Sequence, residues 1–314
     1  AKIRDKNNFL KEEFPVTSQD YYLDTNKTHF TAEVLHCGEI NHESNNISFS
    51  NEVISPPTHF VILDRTLFYP EGGGQLGDQG YFHLDETRTI SVLDTKIEEG
   101  VIIHFTDGFV NNGRIDAEVD NIRRRQLMDH HTAIHIVGGA ARDILGPHIR
   151  QAGSNKGQRY ARIDLTHYSR MSRDLLDKIE DRANDIVQLN PTVEKIILDR
   201  AEADSRFGFD IYQGGPPKHQ QIRIIKIGDF DVQACGGTHH DEAGKIGELR
   251  IVRSSQVQDG VERLQIVAGD TARDHARHQE RILSEASDIL GVQSDDLPKA
   301  VMKFFQEWKS QQKK

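Results

Sequence analysis

Four residues of this chain have the types and spacings of a transition-metal site: His131, His135, Cys235 and His239. His131 and His135 stand four apart in a stretch of helical periodicity, which sets both imidazoles on one face within reach of a single ion. Cys235 and His239 bracket Gly236-Gly237-Thr238, and two adjacent glycines let the backbone fold so that a thiolate and an imidazole converge. One thiolate with three imidazoles suits zinc in softness and geometry. A zinc protease would carry its general-base glutamate directly after the first histidine, where this chain has Thr132, so proteolysis is disfavoured. Four protein ligands would close a tetrahedron, whereas catalytic zinc keeps one position open. Either one donor is displaced, or the ion positions the pocket without touching the reacting water.

These residues need elements to carry them. Leu127, His131, Ile134, His135, Gly138 and Ala141 repeat at helical spacing up to a stop at Gly146-Pro147, which predicts one long helix from Ile122. A strand over 160–165, a helix over 172–189 ended by Asn190-Pro191, and strands over 193–198, 221–227, 247–253 and 261–267 follow. Ahead of them, residues 21–120 are rich in short alternating stretches such as 30–35, 60–63 and 89–93, which read as a small β-barrel or sandwich. Within it Tyr69-Pro70-Glu71-Gly72-Gly73-Gly74-Gln75 must be irregular, since three glycines permit positive φ and leave no side chain to block an approaching group. Residues 37–57, with asparagines, serines and a proline pair, read as an inserted surface loop in which His36, Cys37 and His42 lack ligand spacing. Helices over 271–290 and from Pro298 to Lys313-Lys314 complete the chain, the last without a stop signal, as if cut off. The fold class is α+β: a β-barrel, then helices packed on a mainly antiparallel sheet, then C-terminal helices.

Composition bounds the rest. An apolar fraction of 36% over 314 residues suits a chain of two domains with real cores. No stretch approaches the roughly 18 apolar residues of a membrane span, and no signal peptide is visible, so the cytoplasm is the default compartment. Two cysteines cannot build a disulfide framework. A net charge of −10 disfavours indiscriminate polyanion binding. The balance reverses over 122–162, where Arg123, Arg124, Arg125, Arg142, Arg150, Lys156, Arg159 and Arg162 face only Asp129 and Asp143, marking either a phosphate track or a solvated helix face.

The run Leu67-Phe68-Tyr69-Pro70-Glu71-Gly72-Gly73-Gly74-Gln75-Leu76-Gly77-Asp78 resembles the editing region of alanyl-tRNA synthetase. So, in the same order, do His131-Thr132-Ala133-Ile134-His135, Gln151-Ala152-Gly153-Ser154, Arg162-Ile163-Asp164-Leu165-Thr166-His167 and Cys235-Gly236-Gly237-Thr238-His239, the likeness covering roughly 21–270. The segment 207–215, Phe-Gly-Phe-Asp-Ile-Tyr-Gln-Gly-Gly, is similar to the archaeal branch.

The resemblance implies hydrolysis of Ser-tRNA(Ala) and Gly-tRNA(Ala), zinc as cofactor on His131, His135, Cys235 and His239, and the acceptor end of tRNA(Ala) as partner. It implies that Thr66 and the loop Gly72, Gly73, Gly74 and Gln75 bind substrate, and that Gln151, the catalytic candidate, holds the substrate or a water. Many members carry threonine where this chain has Ile134, so a substrate hydroxyl contact there is missing. On this reading 1–20 is a linker from a preceding domain, 21–121 the barrel, 122–270 the zinc-binding editing domain and 271–314 the start of a dimerisation region. The C-terminal helices would pair two copies of the full-length protein, through a stripe of Ile282, Ala286, Ile289 and Leu290. No ATP-binding signature is visible, so amino-acid activation is not expected from this stretch. A freestanding trans-editing protein and a zinc-stabilised tRNA-binding module without hydrolytic activity are the alternatives.

Overall fold

The computed structural model describes residues 14–41, 47–213, 215 and 220–312. Six antiparallel strands close into a barrel in the order His29–Glu39, His59–Leu63, Val101–Thr106, Thr89–Glu98, Gly80–His83 and Gly113–Val119. Alternation drives this closure: Ala32, Val34, Val61, Leu63, Phe82, Val92, Ile115 and Ala117 point inward and are buried together with Leu67 and Phe68. Burying each large apolar side chain contributes about 1.5–3 kcal/mol.

Two expectations about the barrel's surroundings need correction. Residues 14–20 are not a linker: Ser18–Gln19 pairs in parallel with Arg65–Thr66, and Thr17 bonds both Gly100 and Ile102. Their anchoring comes from backbone pairing and a threonine hydroxyl, which leave no hydrophobic pattern to read. Cys37 to Glu39 belong to a strand rather than a loop, with Cys37 opposite Val61 and its sulfur 3.4 Å from the Val110 amide. His42 and residues 1–13 lie outside the described residues.

The helix Asn121–Leu145 starts on Asp120, whose carboxylate accepts from the amides of Ile122 and Arg123. Periodicity suggests one buried stripe, yet every residue from Gln126 to Ala141 is buried. One side, including Ile134, Ile136, Val137, Ala140 and Ala141, enters a large apolar core shared with the helix Arg173–Leu189 and the sheet beneath. The other side carries the histidines, so its polar residues face protein rather than water.

That sheet has four antiparallel strands in the order Leu249–Gln258, Val261–Ala268, Ala161–Thr166, Gln151–Lys156. A second, three-stranded antiparallel sheet orders Val193–Asp199, Gln221–Ile227, Asp231–Ala234. Gln151–Lys156, Asp231–Ala234 and the helix Arg200–Phe207 were not expected from the sequence.

Part of the reversed charge over 122–162 is consumed inside the fold. Arg124 is 1% exposed; its guanidinium bonds Asp78 and the carbonyls of Thr25 and Leu67. Arg123, equally buried, clamps the Gly77 carbonyl and Glu52. These arginines lock the helix to the far end of the glycine-rich run and are not free for phosphate; Arg125, Arg150 and Arg159 remain exposed.

The described residues up to Gly269 cluster as one compact unit and those from Asp270 as another. Barrel and helix–sheet layers therefore share a unit. The second unit consists of the helices Asp270–Leu290 and Leu297–Gln311, on which Ile289, Phe304 and Trp308 are exposed.

Candidate metal centre

His131, His135, Cys235 and His239 each bring one ligand atom to a common point, all four within 4.8 Å of one another. Helical spacing sets the first two rings 5.5 Å apart between centroids. The Cys235 sulfur lies 3.3 Å from His131 Nε2 and 3.4 Å from His239 Nε2. Close approach requires Gly237: a Cβ there would sit 2.0 Å from His131 Cε1. The loop is propped from outside, since Arg223 donates to the carbonyls of Cys235 and Gly237 at 3.0 and 2.8 Å, and the Tyr22 hydroxyl donates to the Gly236 carbonyl.

Each imidazole has a separate group at Nδ1, on the side away from this point. His131 Nδ1 is 2.7 Å from the Gln75 Oε1, and His239 Nδ1 is 3.2 Å from the Thr132 hydroxyl. His135 Nδ1 faces Asp231 Oδ2 at 3.4 Å, an ion-pair distance longer than a good hydrogen bond, and has no other partner. A carboxylate, carbonyl or hydroxyl on the outer nitrogen fixes ring and tautomer and leaves the inner nitrogen to bind a metal. This outer shell is the feature that sequence reasoning missed, because Thr132 and Asp231 are single polar residues without spacing signals.

The electrostatics of three of the four donors suit metal binding. Burial would push the Cys235 thiol up, but His131 and His239 beside it outweigh burial and hold it well below its ordinary value. Burial, aided by Lys156, holds His131 down to about 4, and burial keeps His239 well below its ordinary value. His135 is the exception: burial lowers it, yet Asp231 and Cys235 together raise it to about 9. A neutral imidazole and a thiolate are the forms that bind zinc.

The other residues picked out from the sequence fall in several places. Gln75 is entirely buried and spans two parts of the site: its Oε1 also accepts from the Thr238 amide at 3.0 Å, while its Nε2 donates to the Thr238 hydroxyl at 2.9 Å. All its polar side-chain atoms are thus committed within the protein, to His131 and Thr238. Gly74 has φ +79°, and a Cβ there would lie 2.4 Å from the Ser154 carbonyl; beyond Gly73 there is open space, and the Gly72 carbonyl accepts from Tyr69. Lys156, 2% exposed, donates from Nζ to the Gly73 carbonyl at 2.8 Å and to Ser154 Oγ at 2.7 Å, and burial holds it down to about 8. Gln151 donates to the same Ser154 Oγ at 3.2 Å. Thr66 stands apart, wholly buried in the barrel with its hydroxyl 2.8 Å from His104 Nε2 and accepting from the Phe68 amide. Ile134 is a core residue, 1% exposed, in the apolar cluster.

Comparison with known proteins places this arrangement. Residues 222–265, which include Cys235 and His239, match the family model described as the threonyl and alanyl tRNA synthetase second additional domain. Residues 2–123, which include the glycine-rich run, match that of class II (A) tRNA synthetases. The alanine–tRNA ligase of Halobacterium salinarum is 43% identical over 302 residues, 96% of this chain and 31% of the relative. That of Haloquadratum walsbyi is 44% identical over 303 residues, 96% of this chain and 31% of the relative. That of Methanopyrus kandleri is 40% identical over 307 residues, 97% of this chain and 32% of the relative. The chain belongs to the alanine–tRNA ligase family. It spans about a third of the length of these alanine–tRNA ligases, whose sources agree with the archaeal likeness of 207–215. Within this stretch of the ligase, the glycine-rich run and the Cys-Gly-Gly-Thr-His run, 163 positions apart at Gln75 and Thr238, are hydrogen-bonded to each other.

Proposed function

We propose that this chain is the editing part of an alanine–tRNA ligase, holding one zinc ion on His131, His135, Cys235 and His239 and hydrolysing the ester of Ser-tRNA(Ala) and Gly-tRNA(Ala). The observation that carries the reading is a thiol and three imidazoles whose donor atoms lie within 4.8 Å, each ring braced from outside. An alanine-selecting site gains only about 1–3 kcal/mol against a side chain that adds a hydroxyl or lacks a methyl, so a second, hydrolytic site meets a physical need.

When bound, zinc supplies a positive charge that attracts the ester and polarises its carbonyl or a water. The chain's own residues do the rest. Gln75 ties the glycine-rich loop to His131, so a shift of the loop is passed to that candidate ligand. Lys156 adds a buried cation where the loop meets the strand Gln151–Lys156, to which Gln151 is joined through Ser154. Gln151 and Ser154 are the polar groups on this edge that can address a serine hydroxyl. Thr66 supports the Phe68 amide at the start of the loop and acts at one remove.

Four converging donors also favour a second reading, in which the closed tetrahedron is structural and the chain binds tRNA without hydrolysing it. Deacylation of Ser-tRNA(Ala) against Ala-tRNA(Ala), with the wild type, the Cys235→Ala variant and chelator-treated protein, separates the two. The editing reading expects fast loss of serine from Ser-tRNA(Ala), slow loss of alanine, and at least about 100-fold slower serine release in the variant. Full activity in Cys235→Ala with no bound zinc would refute it.

A further inference from the structure

The buried Lys156 ammonium pairs with no carboxylate among the described residues; it is spent on the Gly73 carbonyl at 2.8 Å and on Ser154 Oγ at 2.7 Å. A buried charge without a counter-ion is costly, so its role is to be sought in these two acceptors. An ammonium only donates, which holds Ser154 Oγ as an acceptor, and the Gln151 amide donates to the same oxygen at 3.2 Å. A hydroxyl oxygen has two lone pairs and one hydrogen. With both pairs engaged, the hydrogen is left to donate, and no acceptor for it stands among the described residues. A cation on the oxygen also strengthens that donor. Ser154 is half-buried rather than sealed, and its Oγ would lie 3.3 Å from a Cβ at Gly74, a position that glycine keeps open. Gly74 adjoins Gln75, whose side chain meets His131, so this donor stands one residue from the loop's contact with a candidate metal ligand.

Resting on the editing reading for the identity of the ester, we infer that Lys156 sets the choice between serine and glycine by holding Ser154 as a one-way donor to the seryl side-chain hydroxyl. The seryl oxygen accepts this hydrogen, whereas glycine and alanine bring no acceptor. A buried polar group that a substrate hydroxyl satisfies separates that substrate from analogues lacking it. Ser154 touches the substrate. Lys156 touches none of it and is a positioning residue: the Gly73 carbonyl fixes its ammonium from one side, and Ser154 Oγ takes the effect on the other. The glycyl ester is bound without this contact, which makes the seryl ester the better substrate of the two.

The test compares deacylation of Ser-tRNA(Ala) and Gly-tRNA(Ala) by the wild type, Ser154→Ala, Ser154→Thr and Lys156→Met, and reads the ratio of the two kcat/KM values. Lys156→Met keeps the volume and removes a buried charge, which spares the fold. The serine-to-glycine ratio should fall about ten-fold in Ser154→Ala and in Lys156→Met, and should stay within a few-fold of wild type in Ser154→Thr, which keeps the hydroxyl. A merely structural role would lower both rates alike and leave the ratio where it was. Competition by tRNA(Ala) carrying serine or glycine through a non-hydrolysable 3′-amide gives the same comparison without hydrolysis, and the two variants should lose about ten-fold of the preference for the seryl amide. An unchanged ratio in Ser154→Ala or in Lys156→Met, beside a wild type that hydrolyses both esters, overturns the inference and leaves the editing reading in place. In a wild type that hydrolyses neither ester the editing reading falls, and the inference then stands or falls with the amide competition.

Discussion

Replacing Gln75 by leucine removes three hydrogen bonds at once, to His131 Nδ1, to the Thr238 amide and to the Thr238 hydroxyl, at 2.7, 3.0 and 2.9 Å. The change keeps a side chain of similar volume in a position with no solvent exposure. Two donors, the His131 N–H and the Thr238 N–H, are then buried without an acceptor, at a cost of about 1–3 kcal/mol each. Part of this falls on global stability and part on the metal, because His131 is no longer held in the tautomer that points Nε2 inward. Loss of an outer partner of a metal-binding histidine typically weakens affinity about 10- to 100-fold, or about 1.4–2.7 kcal/mol. Gln75→Glu is the companion variant, since a carboxylate oxygen still accepts from both N–H groups. Zinc affinity measured by competition with a chromophoric chelator, beside urea unfolding of the zinc-free proteins, should show Gln75→Leu weakened at least about ten-fold and Gln75→Glu within a few-fold of wild type. A folded Gln75→Leu protein with wild-type zinc affinity would refute the claim that the barrel loop positions the metal centre.

Gly237→Ala should abolish stoichiometric zinc binding, because its Cβ would lie 2.0 Å from His131 Cε1; metal content of the purified variant checks this. Arg124→Met leaves Asp78 buried and uncompensated, and should lower stability by about 3–5 kcal/mol in urea titrations. Burial holds His104 down to about 4 in the folded barrel, against 6.5 when unfolded, so the unfolded chain takes up the extra proton between those values. His104 therefore makes stability fall as pH drops from about 6.5 to 4, by about 3 kcal/mol in total, and urea titrations of His104→Gln should show a correspondingly shallower acid slope.

The convergence of the four candidate ligands was legible in the sequence because each half is local: four residues of helix bring His131 to His135, and paired glycines bring Cys235 to His239. The outer ring was not. Gln75, Thr132 and Asp231 meet their histidines through tertiary packing, and Asp231 lies on a strand of four residues, too short to leave an alternating pattern. Gln151–Lys156 was missed as a strand because it contains no β-branched or aromatic residue. Arg123 and Arg124 read as a charge run, since nothing in a sequence separates a solvated arginine from one that clamps carbonyls beneath the surface. That the long helix is buried on every side was not legible, because its polar face is packed on protein polar groups. The barrel and most helices were legible from period alone, while Thr66 shows the limit of carrying roles by motif: the residue is present, but its hydroxyl is spent on His104.

The account rests on one ion shared by one sulfur and three nitrogens. Zinc content of the purified chain, combined with X-ray absorption at the zinc edge, tests this most directly. One zinc per chain with a shell of three nitrogens and one sulfur is the predicted result; a chain that binds no stoichiometric metal, or a zinc shell without sulfur, would contradict it.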